Sequence, residues 1–506
     1  MTSIKYPTEV KIQVPNGNKW NQKTGLFINN EFIPSDKKEL IEVENPGNGS
    51  TICSVYLADK SDVNKGVKAA KQAFETKWKN FSGQKRSNIL LKIANLIRKN
   101  SLHLADLEAL ESGKPKNNNA MGDVLHTADV FEYFAGLAVT AKSGQTIETE
   151  PSKFTYTIME PFGVCGAVIA WNFPCSTFGW KIAPCLAAGN TIVVKTSELT
   201  PLSALYICEL TKEAGLPAGC LNVTCGRGQT AGAALSEHPD VMKVSFTGST
   251  NVGRIIQSSA SINMKACTLE CGGKSPLVIY DDADLDQSIK WAAFGIFFNK
   301  GEICTASSRI YVQDTIYDKF LTKFAEYVES NFVQGDQFTE GVNVGPQISK
   351  AQRDKILGYI KSGIEEGATL LTGGSVPKSL AESKGYFISP TVLADCHQQM
   401  KVVQEEIFGP VVTVSKFHTD EEAIKLSNDT RYGLAAYVFT KSLERSQNFI
   451  NEIESGQVFV NITFAADYRV PFGGYKMSGR GRELGEAGLA AFQQVKAVHI
   501  NLGTNL

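Results

Sequence analysis

The chain has 506 residues, 42% of them hydrophobic and 20% charged, the proportions of a globular protein of roughly three structural units and not of a disordered, collagenous or coiled-coil chain. Lys and Arg number 51 against 52 Asp and Glu, a net charge of -1, so no chain-wide field draws it to nucleic acid or an anionic membrane. A small-molecule enzyme fits this balance.

Residues 1–18 lack Arg, carry Glu9 and have no apolar run, so neither a secretory signal nor an Arg-rich transit peptide is expected. The 11 Cys are scattered without C-x-x-C pairs, the pattern of reduced thiols, and the cytoplasm is the predicted compartment. A hairpin is expected at 27–32. Val63, Val67, Ala70 and Phe74 then recur at helical spacing after Ser61, read as an N-cap, and 89–98 continues the helical character. Residues up to about 140 therefore read as largely helical after the opening hairpin.

From Lys153 the period changes to two: Phe154, Tyr156 and Ile158 alternate with Thr155 and Thr157. Val498, Ile500 and Leu502 alternate with His499 and Asn501 in the same way, and these two distant strands are expected to pair with each other or with another subunit. Residues 161–180 carry no charge and are long enough to span a bilayer, but Asn172, Pro174 and several glycines interrupt them, so no transmembrane segment is predicted.

Between 163 and 275 short apolar runs alternate with helical stretches: 164–171, 191–195, 221–224 and 244–246 against 180–188, 201–214 and 231–236. Such a series predicts a parallel doubly wound sheet with its ligand across the carboxyl ends of the strands. The alternation resumes after Ser275, where a second α/β domain is expected. Two tempting motifs fail on spacing. Gly226, Gly228 and Gly232 give G-x-G-x-x-x-G, not the dinucleotide fingerprint, and a phosphate loop ending at Gly273-Lys274-Ser275 would need a glycine where Thr268 stands. No His or Cys pair has zinc-ligand spacing, so no metal is expected.

Six segments carry unusual local chemistry: Trp171-Asn172-Phe173-Pro174, Phe246-Thr247-Gly248-Ser249-Thr250, Leu269-Glu270-Cys271-Gly272-Gly273-Lys274, Phe297-Phe298-Asn299-Lys300-Gly301-Glu302-Ile303-Cys304, Glu405-Glu406-Ile407-Phe408-Gly409-Pro410 and Pro471-Phe472-Gly473-Gly474-Tyr475-Lys476. Together and in this order they resemble the aldehyde dehydrogenase superfamily, in the style of a fungal cytosolic NAD-dependent member. The resemblance runs from Phe27-Ile28-Asn29-Asn30 to the terminal strand. It implies an α/β subunit of three parts: a doubly wound NAD-binding domain (1–142 and 163–272), an α/β catalytic domain (273–477) and a small oligomerisation β-sheet (143–162 and 478–506). It further implies a homodimer or homotetramer that oxidises aldehydes to carboxylic acids through a cysteine thiohemiacetal and thioester.

By composition alone Cys304 is one of eleven thiols that read most simply as buried small hydrophobes; the resemblance singles it out as the nucleophile, since a thiolate attacks carbonyl carbon and later leaves from a thioester. Glu270 matches the general base that activates water, a role for which a nonpolar setting must move its pKa toward the working pH. Asn172 matches the side-chain donor that, with the backbone N–H of Cys304, holds the oxyanion. On its own it reads as an Asn in a turn before Pro174.

For NAD, Lys195 and Glu198 match the residues at the adenosine ribose, where a carboxylate accepts from a 2′-hydroxyl and repels a 2′-phosphate, so NAD is expected over NADP. Gly248 and Ser249 stand where a strand meets a helix that could receive the pyrophosphate, a place where Ser249 would equally serve as a plain N-cap. The resemblance adds Ile169, Ala170, Trp171, Gly228 and Phe246 to the cofactor set, with Glu406 and Phe408 at the nicotinamide ribose and ring.

Phe173, Trp180 and Phe472 match aromatic positions of the substrate tunnel. Ala466 stands where an aromatic is frequent and is followed by Asp467, Tyr468 and Arg469, so a wider, more polar mouth that admits polar or amino-aldehydes is expected. The chain departs from the family pattern at Ala170 and Thr196, each in place of a proline, and at Lys300 and Glu302 in place of Gln residues, which bring opposite charges beside the nucleophile. Two other functions stay open at this point: a coenzyme A-acylating dehydrogenase, which Glu270 disfavours, and a non-catalytic scaffold of the same fold, which the joint presence of Cys304, Glu270 and Asn172 disfavours.

Overall fold

In the computed structural model, which describes residues 7–463 and 466–503, Asp59 and not Ser61 caps the first long helix, Lys60–Thr76. The Asp59 carboxylate accepts from the backbone N–H groups of Ser61 and Asp62, and the Asp62 carboxylate accepts from the N–H of Asp59. This reciprocal pair is closed to Ser61 from its place inside the first turn. The expected hairpin is present as Leu26–Ile28 against Glu31–Ile33, turned by Asn29 and Asn30, both at positive φ. The region before residue 140 is less helical than its periodicity suggests. Glu9–Gln13 pairs with Lys19–Lys23 and Leu40–Asn45 with Ser50–Tyr56, two antiparallel ribbons whose mostly half-buried or exposed residues give a weak apolar signal. Of the stretch read for a leader, residues 1–6 lie outside the described residues.

The expected doubly wound sheet has eight strands, in the order Gly479–Arg480, Ala266–Glu270, Lys243–Thr247, Val164–Val168, Thr191–Thr196, Leu221–Cys225, Leu26–Ile28 and Glu31–Ile33. The five strands from Ala266–Glu270 to Leu221–Cys225 run parallel and the outer ones antiparallel. Within the five parallel strands the chain starts at Val164–Val168, builds two strands to one side, then returns to add Lys243–Thr247 and Ala266–Glu270 on the other. The strand order thus reverses between Val164–Val168 and Lys243–Thr247, and a crevice must open beyond their carboxyl ends.

Pro276–Ile279 begins a second sheet of seven strands, Thr369–Thr372, Thr391–Ala394, Val411–Phe417, Arg309–Gln313, Pro276–Ile279, Ala435–Phe439 and Gln457–Val460, parallel except for the first. A third sheet joins Gln493–Asn501 antiparallel to Lys153–Pro161, with Val498 opposite Tyr156 and Ile500 opposite Phe154, and adds Thr146–Ile147. The uncharged stretch 161–180 divides into the strand Val164–Val168, a loop and the start of the helix Pro174–Ala188, with Pro174 at the first turn where its missing N–H costs nothing. Among the described residues no helix is long and apolar enough to cross a membrane.

Candidate active site

At the strand reversal lies a cavity of about 490 Å3. Ala170, Trp171, Asn172 and Phe173 reach it from the loop after Val164–Val168, Thr247, Gly248 and Ser249 from the end of Lys243–Thr247, Glu270 from the end of Ala266–Glu270, and Cys304 from the second sheet's side. Trp180, Glu406, Phe408 and Phe472 complete the predicted residues it gathers.

Cys304 is held by an unusual backbone. The helix Leu285–Phe297 ends, and Asn299, Lys300 and Gly301 follow at φ of 46°, 53° and 74°. Only a glycine fits at 301, since a Cβ there would sit 2.1 Å from the Gly409 carbonyl oxygen. The two non-glycine residues are kept left-handed by their side chains. The Asn299 amide donates to the carbonyl oxygens of Asn172 (3.2 Å) and Glu302 (3.1 Å), and the Lys300 ammonium pairs with Glu302 at 3.0 Å and donates to the Ser112 carbonyl. Glu302 also accepts from the Ile348 N–H at 3.0 Å. The opposite charges expected beside the nucleophile are therefore spent on each other beneath the loop, where burial pushes Lys300 down and Glu302 up.

The Cys304 side chain is half-buried. Burial first, then the carboxyls of Glu270 and Glu406, push its thiol up to about 12, so at neutral pH it is almost wholly protonated and must lose its proton as it attacks or when a ligand alters the site. Glu270 is buried with neither oxygen hydrogen-bonded to a described residue. Burial and then Glu483 raise its carboxyl well above the usual range, with Lys181 and Arg482 pulling the other way. The Asn172 amide donates to the Glu302 carbonyl at 3.0 Å, which leaves its second N–H for a ligand.

Ile169, Lys195, Glu198, Gly228 and Phe246 do not line this cavity. They occupy the same carboxyl edge of the sheet. The Ile169 N–H donates to the Lys195 carbonyl (3.1 Å), Lys195 closes the strand Thr191–Thr196 with its ammonium 3.1 Å from Glu198, and Gly228 opens the wide turn Gly228–Gly232 after Leu221–Cys225. Phe246 lies against Gly248, whose Cβ would meet its ring at 2.6 Å. Ser249 caps the helix Thr250–Ser259 by accepting from Val252, so both roles weighed for it are compatible: the other first-turn N–H groups stay free for an anion. Glu406 accepts from the Gly273 N–H at 3.2 Å, and burial raises it to about 7. Phe408, at φ 60°, meets Trp171 edge to face at 5.2 Å.

Sequence reasoning missed Gln352 and Lys355, which line the cavity from the helix Lys350–Glu365, and Gly122, Asp123 and His126 from the helix Met121–Ala138. The three-residue spacing of each helical pair is a usable signal, although it marks any helix face. Phe298, from the segment that leads to Cys304, and Phe459 also line it.

A model described as the aldehyde dehydrogenase family matches residues 32–498. An aldehyde dehydrogenase of Davidiella tassiana is 48% identical over 500 residues, 99% of this chain and 99% of that protein. The NAD(P)+ aldehyde dehydrogenase 1 of Saccharomyces cerevisiae is 47% identical over 486 residues, 95% and 96% of the two chains. Among solved structures, betaine aldehyde dehydrogenase of Staphylococcus aureus in complex with NAD+ is similar with a TM-score of 0.93 at 38% identity, covering 96% of each chain.

Proposed function

The chain belongs to the aldehyde dehydrogenase family, and on that premise we propose that Cys304, Asn172 and Glu270 carry its NAD-dependent oxidation of aldehydes to carboxylic acids. The observation that carries the assignment is the convergence of these three residues, each from a different element, on one cavity at the strand reversal.

The residues present suit NAD. N–H groups at the start of Thr250–Ser259 with no partner among the described residues suit a pyrophosphate, Lys195 and Glu198 a pair of ribose hydroxyls, and the half-buried Glu406 carboxyl a second ribose. When bound, its nicotinamide supplies the acceptor for the hydride that leaves the substrate carbon. Cys304 attacks the aldehyde carbon, and its proton passes to a base. The Asn172 amide and the Cys304 N–H receive the oxyanion. Once the thioester has formed, Glu270, when ionised, takes a proton from water as the water attacks the thioester carbon. The carboxylic acid leaves, and the sulfur regains its proton. Lys355, which faces the cavity, supports a phosphate or ribose contact in the same cofactor.

The division into an NAD-binding region (1–142 and 163–272), a catalytic region (273–477) and an oligomerisation segment (143–162 and 478–506) is supported by the three sheets, with Gly479–Arg480 as the one stretch that pairs into the first. A homodimer or homotetramer is supported by the sheet of Lys153–Pro161 and Gln493–Asn501, which leaves Phe154, Val495 and Ile500 exposed. A cytoplasmic site is supported by eleven free cysteines. The activity is tested by reduced-cofactor absorbance with an aldehyde panel, in NAD or NADP, with and without coenzyme A. The proposal requires product formation with NAD and water alone, and dependence on coenzyme A would overturn it.

A further inference from the structure

The cavity lining also takes in Gly122 and His126 of the helix Met121–Ala138, together with Trp180, Ala466 and Phe472. Gly122 and Ala466 leave the wall almost bare of side chain. Trp180 packs edge-on against Phe472, ring centroids 5.1 Å apart, and against His126 at 6.0 Å. In this apolar stretch His126 has one polar atom unspent. The Trp180 indole N–H donates to Nε2 of His126 at 3.1 Å. An indole nitrogen only donates, so Nε2 must be bare and the imidazole proton must sit on Nδ1. Among the described residues that bond is the one hydrogen bond the His126 ring makes, and the ring lines the cavity.

The neighbouring carboxylates are engaged. Asp129 is paired with Arg98, Asp123 with the buried Lys114, and Asp467 with the Arg469 guanidinium. An ammonium-bearing substrate beside His126 would therefore find an N–H donor and three occupied carboxylates.

We propose that His126 is a specificity-determining residue whose Nδ1–H, fixed in that tautomer by Trp180, selects aldehydes with an oxygen acceptor, such as an ether or carbonyl, on the part of the chain remote from the aldehyde. The proposal rests on the cavity being the aldehyde tunnel and narrows the expected polar class: acceptor-bearing substrates are favoured, amino-aldehydes are not.

The test compares kcat/KM for ω-methoxyaldehydes with that for the straight alkanals of the same backbone length, for instance 5-methoxypentanal with heptanal, through a series of lengths. At the length that puts the ether oxygen beside His126 the ether should be preferred by roughly threefold to tenfold, the worth of one neutral hydrogen bond. His126→Leu should bring that ratio to about one. His126→Gln, whose amide can accept from Trp180 and still donate to the tunnel, should retain it. The ω-aminoaldehyde of matched length should fall below the alkanal. A flat ratio at every length in the parent enzyme, a preference that survives His126→Leu, or an equal loss in His126→Gln would overturn the assignment. Turnover of heptanal by the parent enzyme separately reports the aldehyde chemistry, so a flat ratio with heptanal oxidised defeats only the role of His126.

Discussion

The side-chain amide of Asn172 donates to the backbone carbonyl of Glu302 at 3.0 Å, tying the loop after Val164–Val168 to the loop that carries Cys304 two residues later. One residue thus both ties down the Cys304 loop and keeps a second N–H for the proposed oxyanion. Asn172→Ala should lower the rate of the acylation burst by about 10²–10³, as loss of such a donor typically does, while cofactor affinity measured by fluorescence titration changes little. A loss below tenfold would show that the backbone N–H of Cys304 suffices.

In the proposed mechanism Cys304 and Glu270 act at different stages, and their variants should separate them. Cys304→Ala should abolish reduced-cofactor production. Glu270→Gln should still give a burst equal to the enzyme concentration, followed by turnover slowed at least a hundredfold, as removal of a general base typically slows a step by roughly 10²–10⁴. Equal steady-state rates for Glu270→Gln and the parent would end its assignment as base.

The same carboxyl sets the sign of the pH dependence. Burial and Glu483 hold the Glu270 pKa well above the usual carboxylate range, so the ionised base becomes more abundant as pH rises through that raised pKa. Deacylation should therefore increase with pH along a limb displaced above the ordinary value of about 4.3, and Glu270→Gln should lose that limb. In the free enzyme the Cys304 thiol, raised to about 12, should be alkylated by iodoacetamide at a rate that climbs through the whole alkaline range. A plateau near pH 7 would contradict the burial argument.

The strand–helix alternation from 163 to 275 was legible because strands buried on both faces read as continuous apolar runs, and the order of six motifs pointed to Cys304, Glu270 and Asn172, which line one cavity. The ribbons before residue 57 were not, because their half-exposed strands carry polar residues on one side. His126, Gln352 and Lys355 were missed for a different reason, although their spacing was in view. A helix offers the same spacing on every face, and only tertiary packing decides which face meets a cavity. The cap at Asp59 instead of Ser61 was a choice between two good caps two residues apart, decided by Asp62, three residues after Asp59.

Glu198 lies beside Lys195 at the sheet's carboxyl edge, where its charge should oppose a 2′-phosphate. Glu198→Gln removes that repulsion and keeps a hydrogen-bonding side chain. The ratio of kcat/KM for NADP to that for NAD should rise about tenfold or more, equivalent to ~1.4 kcal/mol. An unchanged ratio would place the discrimination elsewhere.

Lys300 and Glu302, the two departures nearest the nucleophile, are both fully buried and 3.0 Å apart. Breaking a buried pair strands a charge, which typically costs about 3–5 kcal/mol, whereas replacing both partners by neutral groups of similar shape can be nearly neutral. Lys300→Gln leaves the Glu302 carboxylate with the Ile348 N–H, and Glu302→Gln leaves the Lys300 ammonium with the Ser112 carbonyl. Each single variant should lower the thermal unfolding midpoint and kcat. The double variant keeps an acceptor for Ile348 and a donor for Ser112 with no charge to strand, and should recover most of both losses. If the double variant instead lost the sum of the two singles, the residues would be acting independently, and the ion pair could not be what holds Lys300 left-handed beneath Cys304.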